Sequence, residues 1–303
     1  MNHEPYHLPE GKRRELALVV EVIREGFARA IKHRTMPRFR EGKLLKVILF
    51  GSYARGDWVE DPVGRYFSDY DLLVVVDHED LTDVPEFWSK TEDRLLELLA
   101  EGTRLRTPVS LVYHSLDDVN EKLRLGRYFF MDILRDGVVL FEEAGHPFVE
   151  PRPLSHADAL AETTEYFEEW HTSAVEFFDN FTFNLGQERT NNAAFQLHQA
   201  TERLYQCLFL VRTLYMPKTH SLNRLRSLAE DMEPRLKAVW PGANKDERQA
   251  YARLREAYIK ARYSREYRIS AQQLEWLGSR VELLRSIVEN ACRERLTTLA
   301  EAA

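Results

Sequence analysis

Two short stretches of this chain carry residues suited to handling a phosphate. Gly51-Ser52 ends the apolar run KVILF, and Asp69-Tyr70-Asp71 opens the run LLVVV. Glycine lets the backbone turn tightly with its amides exposed. The segment from Ser52 to Arg55 reads as a turn or a helix start whose amide donors suit a phosphate. Residues i and i+2 of a strand share a face, so Asp69 and Asp71 are expected to project together while Tyr70 points away. Two carboxylates that close repel each other and favour a divalent cation between them. Arg55 adds a guanidinium able to spread its charge over two phosphate oxygens.

Positioning these groups requires two neighbouring strands ending at one edge, and the flanking apolar runs predict them at Leu44–Phe50 and Asp69–Asp77. Apolar positions at three- and four-residue steps predict a helix over Leu8–Lys32, with others over Pro85–Glu101 and Leu116–Arg135. In the second of these, Phe87, Trp88, Leu95, Leu96, Leu98 and Leu99 are expected to face inward. Further strands are expected at Pro108–Tyr113 and Val138–Phe141, and a loop over Asp57–Phe67. The first half is therefore expected to be an α+β domain, a short mixed sheet with flanking helices.

Gly145 to Ser155 contains three prolines and marks the expected boundary, dividing the chain into domains 1–147 and 148–303. Beyond it strand signals vanish. Helices are expected over Ser155–Asn184, Glu188–Leu214, Ser221–Asp231, Asp246–Arg262 and Ser270–Leu299, the last opened by a Ser-x-x-Gln capping box. The second half is thus expected to be an all-α helical bundle.

With 44% hydrophobic and 30% charged residues the composition is that of a globular protein. No apolar run approaches the ~20 residues needed to cross a bilayer, and the N-terminal residues lack a secretory core, so a cytoplasmic protein without membrane partners is expected. Cys207 and Cys292 lie in apolar helical surroundings and read as reduced core residues. The net charge of -7 gives no reason to expect bulk nucleic-acid binding. Between Arg224 and Arg268, however, 12 basic side chains face 7 acidic ones. Arg262, Arg265 and Arg268, with Lys218 and His220, are candidates for an anion pocket.

GSYARGD followed by SDYDLLVVV, and the later FFMDILRDGVVLFEE, resemble the DNA-polymerase-β-like nucleotidyltransferases, particularly their minimal and aminoglycoside-modifying branch. The resemblance covers about Lys46 to Glu142. It implies that Gly51 and Ser52 contact the nucleotide phosphates, with Arg55 a further contact, and that Asp69 and Asp71 are catalytic ligands of Mg²⁺. The substrate would be ATP or another NTP. The family usually supplies a third carboxylate from the next strand; here Ser110 occupies that place in RTPVSLVYHS. Asp117, Asp118 and His114 are the alternatives at hand, although a lone histidine at a strand end is commonly structural. In the loop, Trp58, Arg65 and Tyr66 could meet a base or an acceptor, or Trp58 could simply be packed.

AAFQLHQATERLYQCL, PKTHSLNRL and YIKARYSREY resemble the HEPN helical domains. HEPN RNases carry Arg-x(4–6)-His. This chain offers Arg189 to His198 with eight intervening residues, Arg212 to His220 with seven and Arg152 to His156 with three, so RNase activity is not expected. Nucleotide contacts from Lys218, His220 and Arg262 are. Such bundles often pair as homodimers, for which the second long helix could serve. The expected activity is transfer of a nucleoside monophosphate, AMP from ATP first, to a hydroxyl on a small molecule or protein, the helical domain forming part of the acceptor or nucleotide site. The alternative is a catalytically weak, nucleotide-binding regulatory protein of toxin-antitoxin type.

Overall fold

A computed structural model describes residues 1, 5–58, 60–61, 66–217, 219–264 and 266–303. They divide into two compact units, Met1–Pro153 and Leu154–Ala303.

The first unit is built on a four-stranded sheet: β1 (Leu44–Phe50), β4 (Tyr70–Val76), β5 (Val109–Ser115) and β6 (Val138–Glu142), in the order β5-β4-β1-β6. A short ladder of β2 (Glu60–Asp61) with β3 (Tyr66–Phe67) stands apart from it. β1 runs antiparallel to both neighbours, whereas β4 and β5 are parallel. Every residue of β1 and β4 is buried, as their largely apolar runs require of central strands covered on both faces. One exception within β1 is instructive. Lys46 is buried, and its ammonium pairs with Glu142, its register partner on β6.

Alternation of side chains divides the sheet into two faces. α1 (Glu10–Ile31) and α4 (Ser89–Glu101) are contiguous with one of them, where Val47, Leu49, Leu72, Val74, Leu111 and Tyr113 share a core with Leu16, Val19, Ile23, Leu95 and Leu98. Leu96, expected to face inward, is 62% exposed. A π-helical turn over Val84–Trp88 precedes α4 and rotates the apolar stripe relative to one uninterrupted helix. On the other face, α6 (Tyr128–Asp136) sets Phe129 edge-on against Phe50 of β1 and Phe130 edge-on against His114 of β5.

The single helix expected over Leu116–Arg135 is two, α5 (Leu116–Arg124) and α6. Gly126, with φ 65°, takes the left-handed conformation that ends a helix. α2 (Pro37–Arg40) and α3 (Gly51–Arg55) complete this unit.

The second unit is helical: α7 (His156–Gly186), α8 (Thr190–Thr213), α9 (Leu222–Met232), α10 (Lys245–Tyr263) and α11 (Ala271–Ala302). Ser155 caps α7, accepting from the Asp158 amide, and Ser270 with Gln273 forms the expected capping box on α11. Leu214, φ 52°, terminates α8 three residues before Pro217. α8 is the central helix, packed against α7, α9, α10 and α11. Its stripe of Ala194, Leu197, Ala200, Leu204, Leu208 and Val211 is buried, as are Cys207 and Cys292.

Candidate active site

The site is assembled at the edge where β1 ends and β4 and β5 begin. Phe50, the last residue of β1, is the register partner of Asp71, and Asp71 is the register partner of Ser110 on β5. The three form one row across the sheet, with neighbouring backbones about 4.8 Å apart. Gly51 follows directly, at φ 72°, a conformation in which a side chain would be strained. It opens α3, which closes at Gly56 with a bond from the Gly56 amide to the Ser52 carbonyl. The Gly-Ser turn and the Asp pair therefore meet at one corner for a covalent reason: the residue beside Asp71 is the residue before Gly51.

Asp71 and Ser52 are buried, 1% and 4% exposed, while Asp69 lies just outside the strand and is half-buried. Arg55 points outward, its Nε donating to Asp57 at 3.3 Å. It lies near Asp132 and Asp136 of α6, of which burial raises the first above the usual carboxylate value and the hydrogen bond from Arg135 lowers the second. Trp58 is half-buried and stacked on Tyr53, 5.3 Å between ring centroids and 11° from parallel. Val59, Arg65 and the side chain of Tyr66 lie outside the described residues.

Ser110 stands where a third carboxylate was sought, 7% exposed, and its Oγ has no hydrogen-bond partner among the described residues. The alternatives do not reach it. His114 is four residues further along β5, about 13 Å away by strand rise, and its Nδ1 is bonded to Asp118 at 2.5 Å. Asp117 and Asp118 begin α5, beyond the opposite end of the strand. Among the described residues no group of three or more His, Cys, Asp or Glu could hold a metal.

The residues present still fit magnesium. It is commonly held by one or two carboxylates, with phosphate and water oxygens completing an octahedron. Asp69 and Asp71 offer two carboxylates of that kind, and the unpartnered Ser110 hydroxyl beside Asp71 could hydrogen-bond a water of such a shell.

In the helical unit the structure brings His220 and Arg262 to one ring. The His220 imidazole stacks on Tyr258 with centroids 4.8 Å apart, and the Arg262 guanidinium lies 4.7 Å from the same centroid. Lys218 and Arg265 lie outside the described residues, and Arg268 donates to the Tyr267 carbonyl. Sequence reasoning missed the centre of this cluster, Glu202. This buried carboxylate accepts from His220 Nδ1 at 2.9 Å and from Gln206 at 3.0 Å, with His198 Nε2 3.5 Å away. Burial alone would raise its pKa, but the neighbouring His198 and the hydrogen bond from His220 outweigh burial and hold it below the usual carboxylate value. The spacing of His198 and Glu202 one helical turn apart was the available signal.

Two protein families match this chain. A nucleotidyltransferase domain matches residues 32–125 and a HEPN domain matches residues 167–291. No curated protein matches it significantly. The first match contains the Gly51 turn, the Asp pair and Ser110; the second contains the His198, Glu202 and His220 cluster.

Proposed function

The chain joins a nucleotidyltransferase domain to a HEPN domain, and on that premise we propose that it transfers a nucleoside monophosphate, AMP from ATP first, to a hydroxyl on a small molecule or protein. The observation that carries this reading is the row Phe50, Asp71, Ser110, which sets the Gly51-Ser52 turn and the acidic pair at one corner of the sheet. Gly51 and Ser52 bind the phosphates, Arg55 approaches them from the rim, and Asp69 and Asp71 ligate Mg²⁺. The ion, when bound, neutralises charge on the α-phosphate and on the leaving pyrophosphate.

The acceptor oxygen attacks the α-phosphorus and the bond to the bridging oxygen breaks. Pyrophosphate departs with the electron pair. Asp69, more exposed than Asp71, is the carboxylate an acceptor hydroxyl can reach, and it passes the proton to water. Positioning supplies most of the acceleration in such phosphoryl chemistry. In the helical unit, His220 and Arg262 on Tyr258 offer a further phosphate contact, to which Lys218 would add.

Incubation with each α-³²P-labelled NTP and Mg²⁺ in a cell extract tests this reading. Label on a protein, an RNA or a small molecule supports transfer; no labelled acceptor with any of the four nucleotides counts against it. A second reading, a regulatory protein of toxin-antitoxin type that binds nucleotide without turnover, is favoured by Ser110 at the place of a third acid. Calorimetric NTP binding without labelled product would select it.

A further inference from the structure

Behind the candidate active site lies a cavity of about 410 Å³ lined by Lys12, Glu15, Tyr53, Trp58, Arg106 and Thr107, with Pro9 and Gly11 at the start of α1. It opens on the sheet face opposite Asp71, because Tyr70, the residue between the two aspartates, points to this side and packs its ring 4.5 Å from that of Tyr53. The cavity thus backs onto both motifs, Tyr53 following Ser52 and Tyr70 preceding Asp71.

Its chemistry is specific. The Lys12 ammonium donates to Thr107 Oγ1 at 2.8 Å and lies over the Tyr53 ring at 5.4 Å. Arg106 stands at the exposed rim. The first turn of α1 makes no side-chain cap at Pro9, so its leading amides add partial positive charge. A Cβ placed on Gly11 would meet nothing within 4 Å, so a ligand can approach that turn closely. Among the described lining residues one carboxylate stands against these, Glu15, which accepts from the Tyr70 hydroxyl at 3.3 Å. Among the described residues the lining is therefore net positive, although the first 150 residues carry 28 acidic against 21 basic side chains. Two cations repel an amine, whereas an anion gains from both and from the helix start. Trp58 and Tyr53 supply an aromatic wall, and a volume of several hundred Å³ is that of a small-molecule site.

The geometry points to a second ligand site here, for a small phosphorylated compound with a planar ring, of the size and chemistry of a nucleoside monophosphate. The anionic group sits between Lys12, Arg106 and the α1 amides, the ring lies along Trp58, and Glu15 accepts from a ring amino or hydroxyl group. This inference does not rest on transfer activity. Calorimetry on the full chain with AMP, in chelator so that no metal-bound nucleotide forms, tests it, with adenosine and inorganic phosphate as partial ligands.

Saturable AMP binding tighter than either part, retained in Asp69→Asn/Asp71→Asn and weakened at least tenfold by Arg106→Glu, is the expected result. Arg106 is exposed, so that variant should keep its fold; matching thermal unfolding checks it. Trp58→Phe, which keeps a ring, should retain binding while losing the ligand-induced change in tryptophan fluorescence. Three outcomes would overturn the inference: no saturable binding, phosphate alone binding as tightly as AMP, or binding lost in the double aspartate variant and kept in Arg106→Glu.

Discussion

Ser110 decides how the candidate active site handles charge. It is 7% exposed and register-paired with Asp71, so a carboxylate placed there would be forced against another carboxylate in a buried row. Like charges that close destabilise unless a cation joins them. Ser110→Asp is therefore expected to lower the thermal midpoint in chelator and to recover most of it in millimolar Mg²⁺, with a larger Mg²⁺ shift than wild type shows. Equal midpoints in the two buffers would mean that position 110 does not face an ion.

Glu202 carries a second residue-scale expectation. Its folded pKa is lowered from 4.5, burial opposing and the neighbouring His198 with the hydrogen bond from His220 prevailing. A depressed carboxylate stabilises fully above its unfolded pKa and loses that contribution as pH falls through the folded value. Glu202→Gln is accordingly expected to cost about 1.5–3 kcal/mol at pH 7, the range for hydrogen bonds to a buried charge. The gap from wild type should narrow below about pH 4.5. Urea denaturation across pH reads this out, and a gap that widens on acidification would contradict it.

At the scale of elements, α1 and α4 approach closely because Gly26 lacks a side chain; a Cβ there would collide with the Thr91 hydroxyl. Gly26→Ala is expected to destabilise by about 1–3 kcal/mol through overpacking, and Thr91→Ala in the same chain should restore part of the loss. Denaturation midpoints of the two single variants and the double variant check this; additive losses would show that the contact is not the cause.

Elements with a strong local period were legible in the sequence. β1 was read from its apolar run to the residue, and α7 and α11 from Ser155 and Ser270 with their following helical stripes. The break at Gly126 was not, since an isolated glycine within a helical pattern can be tolerated at a cost of about 1 kcal/mol. Site residues from one segment, such as Gly51 and Asp71, stood out by type and spacing. The cavity of Lys12, Tyr53 and Arg106 did not, because segments distant in sequence build it and none carries a pattern alone. The place of Ser110 could be suspected from the sequence, but only the β4-β5 register puts it beside Asp71 and removes His114 from reach.

At the scale of the molecule, each unit has its own core, the first around the sheet and the second around α8. Among the described residues no helix is long and apolar enough to cross a membrane. Residues 154–303 expressed alone are expected to be helical by circular dichroism and to melt cooperatively, as a unit with its own core should. A gradual, non-cooperative loss of helix would contradict that independence.

In the proposed reaction two aspartates and a Gly-Ser turn suffice for nucleotidyl transfer with a serine in the third position. Pyrophosphate release from ATP, measured with Mg²⁺ and an extract supplying the acceptor, tests it most directly. Wild type is expected to release pyrophosphate, and Asp69→Asn/Asp71→Asn to release none above background. Equal release by the two proteins would contradict the claim.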